Sequence, residues 1–180
     1  MNTKESLHAL EETVSYYLEQ LEGVSEEQLC RKPSDEEWSL GQVYIHLINA
    51  TQFMSLRNIK LCREEALDAT AVVGVKTDAG EAVFRNGGFP DAKISVPPSP
   101  QYTPLQPNGK EQLTSGLSNI LQQMQEIEPM LQEIPPDVTA AHPRLGALNA
   151  KEWFNMVEMH FRHHVKQLHR LQSFVGIRAS

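Results

Sequence analysis

The stretch from Trp153 to Arg170 reads WFNMVEMHFRHHVKQLHR and holds four of the chain's seven histidines. As one helix it places His160 and His164 four residues apart, on a single face. Trp153, Met156, Val157, Leu168 and Leu171 share that face at spacings of three and four. Two imidazoles therefore interrupt an apolar stripe that an ordinary amphipathic helix would complete with leucine. An unpaired polar group in a core costs about 1–3 kcal/mol. Two such groups need a partner, and a metal ion gripped at i, i+4 is one.

The same helical period recurs upstream. Residues 3 to 22 carry Leu7, Leu10, Val14, Tyr17, Leu18 and Leu21 on one stripe, and Gly23 is a stop signal. Ser25 with Gln28 has the form of a capping box and opens a short turn. Ser39 with Gln42 opens a second long helix through Leu40, Val43, Tyr44, Leu47, Ala50, Met54 and Ile59, fading near Asp68. Asn108 with Glu111 caps a third helix, along which Leu113, Leu117, Ile120, Leu121, Met124, Ile127 and Leu131 repeat at three and four. Pro129 should kink that helix or end it early. Asn149 with Glu152 caps the fourth, which carries the histidines.

No alternating strand pattern is evident, and a linker is expected up to Leu148. Between the second and third helices the period is lost from residue 69 to residue 108. Gly74, Gly80, Gly87, Gly88 and six prolines crowd this stretch, and Phe84, Phe89, Ile94, Val96 and Tyr102 could anchor it as a loop over the domain. The expectation is one domain over residues 1–180, an all-α four-helix bundle with a long crossover loop between helices 2 and 3.

Composition narrows the function classes. A formal charge of −7 argues against nucleic-acid binding, which needs a basic stripe to displace counterions from phosphates. No apolar run approaches the about 18 residues of a membrane span, and the charged start MNTKESLHALEE is not that of a signal peptide. Two cysteines, Cys30 and Cys62, make no disulfide framework and read as small packing residues. A reducing, cytoplasmic location is the default.

His46 lies one turn after Val43 and one turn before Ala50, so it points inward and supplies a third imidazole to His160 and His164. Three neutral imidazoles leave at least one coordination position open, the pattern of a catalytic rather than a structural zinc site. Imidazole alone leaves Zn, Ni, Fe and Cu as candidates. The zincin motif is absent, because Phe161 stands where H-E-x-x-H has its glutamate. Gln42 and Gln167 lie about one turn from His46 and His164. Each either fixes an imidazole tautomer or serves as a cap or solvent-facing residue. His163 is displaced around the helix to the rim, where it is a candidate for proton transfer. His169 and Arg170 face solvent or a helix partner, and His8 the surface.

Trp38-Ser39 leading to His46-Leu47, then His142-Pro143 with Gly146 before Trp153, and finally the H-x-x-H-H-x-x-Q run from His160 to Gln167, together resemble the DinB/YfiT-like superfamily. The resemblance covers nearly the whole chain, the middle loop being least constrained. It implies a four-helix bundle with a metal, Zn or Ni, held by residues corresponding to His46, His160 and His164, and often a homodimer. It also implies a metal-dependent enzyme acting on a small-molecule substrate, either a thiol S-transferase using a low-molecular-weight thiol such as bacillithiol or mycothiol, or a hydrolase. His142 falls in the family's HPxxG element and would support the site from behind the ligands. The family name records induction by DNA damage and implies no DNA binding. The alternative is a non-catalytic metal-binding or stress-related bundle, favoured by the lack of an evident general-base carboxylate.

Overall fold

A computed structural model describes residues 2–66, 74–91 and 103–177. Helix α1 (Thr3–Glu22) is opened by a capping box in which Asn2 and Glu5 satisfy each other's backbone N–H groups. The short α2 (Glu26–Cys30) is opened in the same way by Ser25 and Gln28. Helix α3 (Leu40–Ala50) starts at the Ser39–Gln42 box and runs through a π-helical stretch, Thr51–Leu56, into α4 (Arg57–Glu65). Helix α5 (Asp78–Asn86) follows, then α6 (Lys110–Ile127), an antiparallel hairpin of β1 (Thr139–His142) and β2 (Gly146–Asn149), and α7 (Ala150–Phe174). The protein is predominantly helical. Helices α1 and α3 each pack against both α6 and α7, which closes a four-helix bundle. Among the described residues no helix is long and apolar enough to cross a membrane.

Three phenolic and aromatic rings brace the bundle where it bears the histidines. Tyr17 stacks edge-on against Tyr44 at 5.3 Å and against Phe161 at 5.6 Å. The Tyr44 hydroxyl donates to the Tyr17 carbonyl at 2.9 Å, and the Tyr17 hydroxyl donates to the Phe161 carbonyl at 3.0 Å. Burying these hydroxyls is tolerated because each has an acceptor. The chain of contacts ties α1, α3 and α7 together beside His46 and His160, and so sets the rotation of α3 relative to α7.

The structure departs from the periodic reading in four places. From Leu47 onward in the second long helix the buried positions are Leu47, Thr51, Ser55, Leu56, Ile59 and Cys62, whereas Ala50 and Met54 are only partly buried. The Thr51 hydroxyl donates back to the Leu47 carbonyl at 2.9 Å, which satisfies it in the core where the helix widens into its π stretch. The widening rephases the helix, leaving Phe53 68% exposed while Ile59 and Cys62 return to the interior.

Second, the Pro- and Gly-rich connection, expected to lack helix, contains α5. Its start is capped by the Thr77 hydroxyl, which accepts from Gly80 N–H at 3.2 Å, and its end by Gly87 in the left-handed region at φ 65°. The remaining anchors assigned to that loop, Ile94, Val96 and Tyr102, lie outside the described residues.

Third, the expected linker before Leu148 is the β hairpin. Residues preceding α5 extend it, since Lys76 bridges to Gly146 and Ala147 N–H donates to the Val75 carbonyl at 3.0 Å. Thr77 adds two bonds to the hairpin turn, from its N–H to Leu145 O at 2.9 Å and from its hydroxyl to Arg144 O at 2.9 Å. A Cβ at Gly80 would lie 2.2 Å from Leu145 O, so only glycine lets α5 approach the turn this closely.

Fourth, the N-cap of α6 is Gly109 rather than Asn108, whose N–H instead donates to the Gln112 side chain at 2.7 Å. Pro129 acts as expected, with α6 ending at Ile127 and the chain tightening into a 3-10 turn over Glu128–Gln132.

Candidate metal centre

Helix α3 presents His46 to the pair on α7. The His46 Nε2 lies 3.0 Å from His160 Nε2, and His164 Nε2 lies 3.1 Å from the same atom. The three potential ligand nitrogens fall within 4.8 Å of one another, all on partly buried side chains. Their rings meet edge to face at centroid distances of 4.8–4.9 Å.

The donor set fits a metal ion better than it fits itself. The Gln167 Oε1 accepts from His164 Nδ1 at 2.8 Å, which places the proton on Nδ1 and leaves a lone pair on Nε2 facing the cluster. His160 Nε2 carries one proton or one lone pair, yet it confronts two neighbouring imidazole nitrogens. A cation at the centre accepts all three lone pairs. A tetrahedral ion with metal–nitrogen bonds of about 2.0–2.1 Å separates its ligand nitrogens by about 3.3 Å. The two spacings to His160, 3.0 and 3.1 Å, need only a slight opening to reach that, and the His46–His164 pair lies within 4.8 Å.

Burial keeps the imidazoles neutral, as ligands must be. Desolvation, reinforced by His164 and His163, pushes His46 from 6.5 down to about 3. Desolvation lowers His164 to about 4 against the opposing bond from Gln167. His160 is pushed well below its ordinary value by burial and by His46. Each folded-state value lies below that of the unfolded chain, so the unfolded state binds more protons once pH drops below 6.5. The metal-free protein is therefore expected to be most stable above that pH and to weaken as pH falls toward 4. At about pH 5 one fully depressed imidazole accounts for about 2 kcal/mol of lost stability. Urea denaturation in the presence of chelator at about pH 7.5 and about pH 5 measures this. Equal stability at the two pH values contradicts a buried neutral triad.

The supporting residues divide. Gln167 is at the site, orienting His164. Gln42 is engaged elsewhere: its Oε1 accepts from Ser39 N–H at 2.9 Å and its Nε2 donates to Pro104 O at 2.5 Å, so it caps α3 and holds the last part of the long connection. His142 ends β1 at the hairpin turn, and its Nδ1 accepts from the N–H groups of Arg144 at 3.1 Å and Leu145 at 3.0 Å. Its ring packs on Trp153 at 5.4 Å, and burial pushes its pKa down to about 4. His163 lines the cleft beside Phe89, its ring 5.3 Å from that of His164 and its pKa lowered by burial.

His169 faces a helix partner, its Nε2 2.6 Å from the Tyr16 hydroxyl on α1, and Arg170 pairs with Glu37 at 2.6 Å. Cys62 is buried, whereas Cys30, expected to pack, is exposed. Two aromatic neighbours escaped the sequence reading of the site. Trp38, just before α3, stands 4.8 Å from the His46 ring, and Phe89, just after α5, stands 6.0 Å from the His160 ring.

Comparison with known proteins agrees with this architecture. The chain is 22% identical over 153 residues to the uncharacterized protein YuaE of Bacillus subtilis (strain 168), an alignment covering 85% of this chain and 88% of that one. The sequence profile of the DinB superfamily matches residues 9–168, through α3 and most of α7 and hence all three imidazoles. The chain belongs to the DinB superfamily.

Proposed function

We propose that the protein is a metal-dependent enzyme that activates a low-molecular-weight thiol or water for attack on a small electrophile. The observation carrying this reading is a centre of three converging imidazole donors that no Cys, Asp or Glu joins among the described residues. A divalent metal bound there, Zn or Ni, supplies Lewis acidity that lowers the pKa of a thiol or water placed in the open position.

The chain's own residues do the rest. His46, His160 and His164 hold the ion, and Gln167 keeps the His164 lone pair aimed at it. Trp38 and Phe89 crowd the imidazoles and limit water around them. His163, neutral and at the rim, takes up the proton released by the nucleophile on a ring nitrogen.

The test is a metal-dependent rate with a panel of small thiols and 1-chloro-2,4-dinitrobenzene, alongside a p-nitrophenyl ester to report attack by water. In either branch His163→Ala should slow turnover by about a hundredfold, the lower end of general-base contributions, while leaving metal content intact.

A second reading has its own support. The candidate ligand group contains no carboxylate, and the nearby buried Glu158 is committed to Arg162 at 2.7 Å. A metal-loaded protein with no metal-dependent rate in either branch, and a large loss of melting temperature on chelation, would make the ion a structural element of a non-catalytic bundle.

A further inference from the structure

The reading of the three imidazoles as a metal centre is the premise here. Phe89 belongs to the segment following α5, outside the four bundle helices, yet its ring stands 6.0 Å from that of His160 and 5.6 Å from that of His163. Two polar clamps from α7 hold it there. Arg162 donates to the Gly87 carbonyl at 2.7 Å, and Lys166 pairs with Asp91. Arg162 and Lys166 are one helical turn apart, so they share a face. The residues they grip lie two positions before Phe89 and two positions after it.

The first clamp is itself anchored. Glu158, 3% exposed, accepts from Arg162 Nε at 2.7 Å and from an Arg162 terminal nitrogen at 3.0 Å. Glu158 is buried but the Arg162 side chain is half exposed, so solvent screens the pair and its net contribution to stability is small. The pair fixes the direction of the guanidinium and hence the position of the chain at Gly87. On the His46 side, the Trp38 ring lies 4.8 Å away.

The cleft beside Phe89 is lined also by Asp91, Met159, Arg162, His163 and Lys166. Both of its permanent cations face carboxylates, Arg162 to Glu158 and Lys166 to Asp91, which argues against an anionic group as the feature recognised here.

We propose that Phe89, positioned by the Glu158–Arg162 and Lys166–Asp91 clamps, is a specificity-determining side chain beside the metal centre, between His160 and the cleft that His163 lines. It selects substrates that carry a flat apolar or aromatic group next to the reacting atom. Phe89 acts by contact with that group, and Arg162 is a positioning residue.

The experiment uses full-length protein loaded with Co(II) and titrated with imidazole or 4-phenylimidazole, each read by the visible spectrum of the ion. Wild type should bind the phenyl compound about tenfold more tightly than imidazole, the size expected of one good aromatic contact. Phe89→Ala should erase that preference while imidazole affinity stays within about twofold. The paired variant Glu158→Gln, Arg162→Gln leaves no buried charge unpaired. It should reduce the preference in the same selective way, a split that general loosening of the fold would not produce.

Equal binding of both azoles by wild type, or a preference that survives in Phe89→Ala, overturns the assignment of Phe89 alone. A cobalt spectrum that neither azole perturbs means no open position, and overturns this inference together with the enzymatic reading beneath it.

Discussion

Replacing His160 by alanine is expected to abolish stoichiometric metal binding while leaving the bundle folded. His160 is the hub of the centre, its Nε2 within 3.0 Å of His46 Nε2 and 3.1 Å of His164 Nε2. Without it His46 and His164 remain as two donors on different helices, and affinity should fall by more than about a hundredfold, beyond what loss of a merely supporting group costs. The effect on folding should be small by comparison. Truncation removes a buried imidazole whose single Nε2 faces two others, so a polar conflict disappears along with some packing. Competition against a chromophoric chelator measures the affinity, and urea denaturation without metal measures the stability. Metal retained at wild-type affinity in His160→Ala would mean that the ion binds elsewhere.

The largest expected loss of stability lies one layer below the site, at Trp153. Its side chain is fully buried and is the largest of those so buried. Its Nε1–H donates to the Ala140 carbonyl at 3.3 Å, and its ring carries the imidazole of His142. Trp153→Ala therefore opens a cavity under the hairpin and leaves a buried carbonyl without its donor. Such truncations cost about 3–5 kcal/mol, which for a chain of this size lowers the melting temperature by roughly 10 °C. The loss should propagate outward, because α5 rests on the hairpin through Thr77 and Gly80 and carries Phe89 beyond it. Metal affinity should change far less, since none of the three ligands touches the lost ring through a hydrogen bond. Differential scanning calorimetry of the metal-free variant checks the first part. A shift of only about 2 °C would show that the hairpin and α7 are held together by other contacts.

What could be read ahead of the structure follows from the range of each interaction. The capping boxes at Ser25, Ser39 and Asn149 involve residues three apart, and all three form. His160 and His164 share a face by helical geometry alone, and the inward position of His46 was read from Val43 and Ala50, one turn to either side, of which Val43 is buried and Ala50 partly so. Elements that depend on distant partners were opaque. The strands Thr139–His142 and Gly146–Asn149 are four residues each, rich in small side chains, and gain their pairing surface from Val75 and Lys76 and their floor from Trp153.

The same limit explains Gln42, which occupies both the third position of a capping box and a place one turn from His46. Only the structure shows that the cap and Pro104 take its amide. Phe89 gave no periodic signal because it follows a short helix in a segment dominated by glycine and proline, and its place beside His160 is set by clamps from another helix. The π stretch at Thr51–Leu56 shifted the buried face onto Thr51 and Ser55, two polar residues that a hydrophobic stripe passes over.

X-ray absorption at the edge of the bound metal, on untagged wild-type protein, tests the central claim most directly. It should show three imidazole nitrogens and at least one oxygen donor from solvent, at about 2.0–2.1 Å for Zn. Protein that takes up neither Zn nor Ni, or an ion coordinated without imidazole, would contradict it and leave the three histidines as partners of one another in a helical bundle.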